Sequence, residues 1–362
     1  MFNSDRLALA RRRRGFTKKY LAEAIGVTVR ALTAFEADEY PPSDETIARL
    51  AQELRFPTEF FFADPVDSID EASVSFRSLK RMTAAQKHAA LAAGTLALEI
   101  SDWINSRFKL PEPCLPDLRG ERPEEAARIV RTEWGLGTYS IKNMIHLLES
   151  KGVRVFSLHE NAREVDAFSM WKGSTPFIFS NQQKTAAHRR FDAAHELGHL
   201  VLHKHGAPNG PVAEREADAF AAAFLMPADT VKAATTGWET VDDLIRLKAK
   251  WMVSVGALAR RLRDVGMASE WHYRTLCIRI SERGYRTSEP ADYPPERSMV
   301  WEKIMTSLRA SGSGAREISE ALAIPPEEVE KLVWGLVTIG LTSSDPISIP
   351  SPRRGHLRIV PR

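Results

Sequence analysis

Residues 195–199 read His195-Glu196-Leu197-Gly198-His199, two histidines four apart with a glutamate between them. They lie in an apolar, helix-forming run over residues 191–202, and a spacing of four brings both imidazoles to one face of a helix. Neutral imidazole is a good ligand for Zn2+, and two of them leave positions for a third protein ligand and a water. Glu196 directly follows the first histidine, which places it near that water. There it could serve as general base while the metal acidifies the water and polarises a scissile carbonyl. The residue types predict a metal-dependent hydrolase with His195 and His199 as ligands and Glu196 as the catalytic group.

The third ligand sets the subclass, and three residues compete for it. His205 stands where the metzincin pattern His-Glu-x-x-His-x-x-Gly-x-x-His would end. Leu202 replaces the turn glycine of that pattern, so a helix continuing through it points His205 away. Glu214, in Glu214-Arg215-Glu216-Ala217-Asp218, opens the Glu-x-x-x-Asp arrangement of gluzincins. In that arrangement the glutamate binds zinc, and the aspartate one turn later accepts a hydrogen bond from a ligand imidazole and fixes its tautomer. Glu214 and Asp218 fit these roles best. Glu216 falls on another face and reads as a solvated carboxylate, although it and His205 stay open as ligands.

Two helices must hold these groups, one over about 185–202 and one over 214–225. Beside them, short apolar or alternating runs at 153–158, 167–171 and 177–180, divided by Asn161 and the Gly173-Ser174 turn, predict a small antiparallel sheet. An edge strand next to the active helix could pair with an extended substrate backbone. Phe177, Ile178, Phe179 and Asn181 are the best candidates for it, with an ordinary core strand as the alternative. Arg189 and Arg190 could contact substrate or pair with acids near the site. Further helices are expected over 83–107, 124–134, 141–150, 241–262 and 294–309, and two over 317–339 broken at Pro325-Pro326. Residues 273–280 read as a strand and 346–362 as a frayed end.

The resemblance becomes specific when the blocks are taken together. Ala167-Phe168-Ser169-Met170-Trp171, Pro176-Phe177-Ile178-Phe179-Ser180-Asn181, Arg189 through His199, Glu214 through Ala221 and Leu225-Met226-Pro227 follow one another in the order of the ImmA/IrrE family of metallopeptidases. The chain resembles that family over about residues 140–265. The resemblance implies a gluzincin-like zinc endopeptidase that makes few, selective cuts in a transcriptional repressor or another regulatory protein. Such enzymes act in stress responses and mobile-element induction.

The first sixty residues read as five short helical pieces, capped at Ser4 or Asp5, Thr17, Thr28 and Ser43 and opened last by Pro57. Lys18 through Thr28, followed by Leu32 and Glu36, resembles the Cro/C1-type (XRE) helix-turn-helix. In that family the helix beginning at Thr28 enters the major groove of double-stranded DNA. Residues 6–19 hold Arg6, Arg11, Arg12, Arg13, Arg14, Lys18 and Lys19 and no acid, a patch suited to phosphate. The DNA-facing set is therefore expected to be Arg11, Arg12, Arg13, Lys18, Lys19, Thr28, Arg30 and Thr33. Val29 and Ala34 should also face outward, and Arg30 is the one strong candidate for a guanine contact. Glu36 reads as part of the internal hydrogen bonding. A head that has lost DNA recognition and serves protein contact is the alternative.

Composition agrees with these motifs. The 362 residues allow two or three domains, and 43% hydrophobic with 27% charged residues is ordinary for a globular protein. The net charge of only +3 excludes a histone-like polycation but conceals the basic N-terminal patch. Two cysteines make no disulfide framework, and no run approaches the ~20 apolar residues of a membrane span. With no secretory signal visible, a cytoplasmic protein is expected. The fold class is mainly α with a small antiparallel sheet (α+β). It divides into a helix-turn-helix bundle (1–63), a helical connector (64–139), a metallopeptidase core (140–265) and a strand-plus-helix C-terminal domain (266–362). The acids around 317–330 would repel phosphate, so a packing or partner-binding role is expected there, with Trp334 and Leu336 in a core. A homodimer is one assembly the sequence allows. The functional alternative is a transcriptional regulator whose metallopeptidase-like domain senses a ligand or metal without proteolysis.

Overall fold

Asn3, rather than Ser4 or Asp5, opens the first helix, α1 (Ser4–Arg13), by accepting from the Asp5 and Arg6 amides. Thr17, Thr28 and Ser43 cap α2 (Lys18–Ile25), α3 (Val29–Glu36) and α4 (Asp44–Leu54) as their residue types predict. Gly26, at φ 72°, supplies the left-handed residue that ends α2 and aims α3. A 3-10 turn over Thr58–Phe62 buries Phe60 and Phe61 under α1. The computed structural model describes residues 1–69, 74–76, 82–158, 167–204, 210–312 and 314–337. His205, Asn161 and the tail 346–362 lie outside the described residues.

The chain then runs through β1 (Ser75–Phe76), the long α5 (Ala84–Asn105), α6 (Pro123–Glu133) and α7 (Met144–Ser150). Next come β2 (Arg154–Leu158), β3 (Phe168–Lys172), β4 (Thr175–Asn181), α8 (Ala186–Leu202) and α9 (Pro211–Leu225). Helices α10 (Ala228–Ala234), α11 (Val241–Leu247), α12 (Val255–Asp264), α13 (Glu270–Glu282), α14 (Met299–Ala310), α15 (Ala315–Leu322) and α16 (Pro326–Val333) complete it. The fold is mainly α with one small sheet, and among the described residues no helix is long and apolar enough to cross a membrane. Cys114 and Cys277 are both free.

The sheet has strand order β1-β3-β4-β2 and is mixed, not antiparallel throughout. Strands β3 and β4 form a hairpin turned at Gly173, whereas β2 lies parallel to β4 from Arg154↔Phe177 to Leu158↔Asn181. Alternate residues face opposite layers. On one face Phe168 stacks on Phe179 at 4.4 Å between ring centroids, beneath α5. A Cβ at Gly94 of α5 would lie 2.7 Å from Ile69 Cδ1, so the missing side chain makes room for that residue beside the Phe168 ring. On the other face Ser169 and Trp171 hydrogen-bond to α8.

Two more expectations are corrected. Residues 273–280 are helical: Ser269 caps α13, and Leu276 and Ile280, four apart, are its buried residues, so a helical period underlies what reads as a strand. The expected single helix over 241–262 is broken by a 3-10 turn at Lys248–Lys250 and by Met252 at φ 57°, after which Ser254 caps α12.

The C-terminal segment is built into the rest of the molecule. Its acids cap helices: Glu289 accepts from the Val255 amide of α12, Asp292 from Ala186 and Ala187 of α8, and Glu296 from Met144 and Ile145 of α7. Lys248, fully buried, pairs with Glu289 at 3.1 Å and sits over the Tyr293 ring. Trp301 of α14 donates to Val155 O of β2 at 2.9 Å. Glu328 of α16, also fully buried, receives Arg13 at 2.5 Å and Arg14 at 2.6 Å from α1. Of the acids around 317–330, Glu328 has the packing role expected of them, and Leu336 is buried, although Trp334 is exposed.

Candidate metal centre and helix-turn-helix head

Helix α8 starts at Thr185, whose hydroxyl accepts from the His188 amide, with Asp292 adding a second, charged cap. Its inner face presents His195 and His199, both buried. Helix α9 crosses it closely because residue 198 is glycine. A Cβ there would lie 3.1 Å from the Phe220 ring and 3.2 Å from Ala217 Cα. That approach brings Glu214 to 3.4 Å from the Nε2 of both histidines.

The donor set fits a metal. The two Nε2 atoms face each other at 3.0 Å, and the potential ligand atoms of His195, His199 and Glu214 all lie within 4.8 Å of one another. Ligands about 2.0–2.1 Å from a tetrahedral ion stand roughly 3.3 Å apart, the spacing seen here. Glu214 Oε2 is buried without a hydrogen-bond partner. Burial opposes ionisation of Glu214, but the two imidazoles outweigh it and hold its pKa at about 2. Among the described residues these three could hold the ion, and Glu216 is not with them.

The far sides of the imidazoles are also engaged. Asp218 accepts from His195 Nδ1 at 2.9 Å and lies 3.5 Å from Arg260 of α12. His199 Nδ1 meets His203 Nδ1 at 3.0 Å, and His203 Nε2 meets Glu216 at 2.9 Å. Glu216 is therefore tied to a histidine while its side chain stays partly in solvent, as expected of it. Burial lowers the His203 pKa despite Glu216. Ser169 Oγ of β3 donates to Glu196 Oε2 at 2.6 Å, which fixes the carboxylate of the buried Glu196. Sequence reasoning missed Ser169, His203 and Asp292. Only His203 carried a local signal, extending the series 195, 199, 203 at one helical spacing.

The expected substrate strand is corrected. Phe177, Ile178, Phe179 and Asn181 belong to β4, which has β3 on one side and β2 on the other, and all four are buried. Its backbone is used on both edges, so no substrate can add there. Arg190 is buried against Glu296 and Ile141 O, and Arg189 bonds Gln182, so both are structural.

In the head, Thr28, Arg30 and Thr33 are exposed on α3, as are Arg12 and Lys19 nearby, while Ala34 is buried. Arg11 and Arg13 are not available to phosphate. Arg11 is bidentate to Glu36 and donates to Phe16 O, and Arg13 is held by Glu328. Lys18 pairs with Glu36 at 3.3 Å, which agrees with the internal role expected of that glutamate. Arg12, Lys18 and Thr33 line a cavity of about 390 Å³ between the head and α5.

Comparison with known families agrees with this geometry. Residues 148–263 match the peptidase family described as the IrrE N-terminal-like domain, and residues 7–61 match a helix-turn-helix family. The two resemblances read from the sequence are thus borne out, and the metallopeptidase-like domain contains His195, His199 and Glu214. No curated protein is significantly similar to the chain.

Proposed function

We propose that this protein is a cytoplasmic zinc-dependent endopeptidase joined to a DNA-binding head, and that it makes selective cuts in a regulatory protein of the repressor kind. The observation that carries the reading is the convergence of His195 Nε2, His199 Nε2 and Glu214 beside a positioned Glu196. In this reading residues 1–63 address the protein to double-stranded DNA, 64–139 connect, 140–265 cut, and 266–362 brace the other parts.

A bound zinc ion would supply Lewis acidity toward a water and a peptide carbonyl. Glu196 takes the proton of the attacking water and returns it to the departing amine nitrogen. Ser169 keeps that carboxylate in one rotamer through its hydrogen bond to Oε2. Asp218 holds the His195 proton on Nδ1, which leaves the Nε2 lone pair available to hold a metal. Arg12, Lys19, Thr28, Arg30 and Thr33 form the DNA-facing set.

The test compares wild type with Glu196→Gln for zinc content and for protein fragments produced on expression in cells. One zinc per chain in both, with new fragments from the wild type alone, is the expected result. Identical fragment patterns, or an intact biological output with Glu196→Gln holding its zinc, would leave a sensor rather than a protease. A mobility shift that is absent even at low salt would remove DNA from the reading.

A further inference from the structure

We propose that His203 is a positioning residue for the metal ligand His199, the middle of a chain Glu216–His203–His199 that sets which nitrogen of His199 faces the ion. The inference rests on the metal centre proposed above and deepens it.

The argument is one of proton parity. His199 Nδ1 and His203 Nδ1, 3.0 Å apart on the side away from the proposed ion, need one proton between them. A carboxylate only accepts, so the 2.9 Å contact of Glu216 with His203 Nε2 places a proton on Nε2. Neutral His203 with that proton has a bare Nδ1. It must therefore accept, and the shared proton belongs to His199 Nδ1. His199 Nε2 is left with its lone pair, aimed at His195 and Glu214.

Helix geometry explains why His199 needs an intermediary. Asp218, one turn beyond Glu214 on α9, reaches His195 directly. His199 lies one turn farther along α8, and its Nδ1 meets no carboxylate among the described residues. His203 fills the gap from the C-terminal turn of α8, where its amide still donates to His199 O at 3.0 Å. Its side chain is only 13% exposed, while Glu216 at 43% keeps one end in water. Helix α9 thus serves the site with three carboxylates, Glu214 to the ion, Asp218 to His195 and Glu216 through His203 to His199.

The test uses the full chain. Zinc dissociation constants are measured by competition with a chromophoric chelator for wild type, His203→Ala, His203→Gln and Glu216→Ala, with melting midpoints taken alongside. Removing a group that orients a metal ligand typically weakens metal affinity by about 10- to 100-fold, the change expected for His203→Ala. His203→Gln, whose amide oxygen can accept from His199 Nδ1–H, should recover most of it. Nitrogen-15 spectra of the histidine rings in zinc-loaded wild type should show protons on His203 Nε2 and His199 Nδ1, a readout that does not depend on any variant folding. Unchanged affinity in His203→Ala, or a proton on His203 Nδ1, overturns the proposal while zinc binding by the wild type leaves the metal centre standing. A wild type that binds no zinc overturns both.

Discussion

Glycine at 198 is the residue on which the approach of the two site helices depends. Its α-hydrogen faces Phe220 and Ala217, and any side chain there would push α9 and Glu214 away from α8. Gly198→Ala should therefore destabilise the protein by about 1–3 kcal/mol, the usual cost of overpacking, against the small helix-propensity gain of alanine. Urea unfolding would measure it, and an unchanged midpoint would show that the helices have slack. Zinc affinity should fall in the same variant, since Glu214 moves with α9.

At the level of elements, the recurring device is a carboxylate at a helix N-terminus, where unpaired amides and the helix dipole favour negative charge. Asp292 does this for α8 from more than a hundred residues away in sequence. Asp292→Ala should cost about 0.5–2 kcal/mol in denaturant unfolding and leave the ligands themselves intact. Glu149 plays the same part for α14, accepting from Ser298 Oγ and from the Met299 and Val300 amides. Burial lifts its pKa from 4.5 to about 7, with those hydrogen bonds pulling the other way. The folded protein holds this proton more tightly than the unfolded chain, so its contribution is complete below pH 4.5 and is lost as pH rises through 7. Stability should fall by up to about 3 kcal/mol across that window, and Glu149→Gln should flatten that part of the pH profile.

Across the whole molecule, α16 ties the head to the body through Glu328. Burial pushes this carboxyl up, but Arg13, Lys331 and Arg14 reverse the effect and hold it at about 2. Its contribution is present above the ordinary value of 4.5 and disappears as pH falls through 2. Arg13→Ala should cost about 3–5 kcal/mol, the penalty for breaking a buried pair, without altering the salt dependence of DNA binding. Arg12→Ala and Arg30→Ala should do the reverse, with little change in stability and a salt slope smaller by about 1 for each phosphate no longer neutralised. If Arg13→Ala lowers the salt slope as Arg12→Ala does, the assignment of these neighbours to different tasks is wrong.

Local chemistry was legible wherever it lies within one helix or one cap. The spacing of His195 and His199, the caps at Thr17, Thr28 and Ser43, and the placing of Glu214 and Asp218 one turn apart follow from helical periodicity and side-chain type, which the sequence contains in full. Partners from distant segments do not. Arg11, Arg12 and Arg13 are three identical neighbours, yet one meets Glu36, one meets Glu328 and one faces solvent. Phe177–Phe179 is a continuous apolar run that suits either an edge or a core strand, and only β2, adding in parallel on the far side, makes β4 interior. The sequence by itself determined the ligand types and the helices that carry them. Tertiary structure alone decided which charges are buried against which, because burial and pairing depend on where separate elements meet, not on how residues repeat along one.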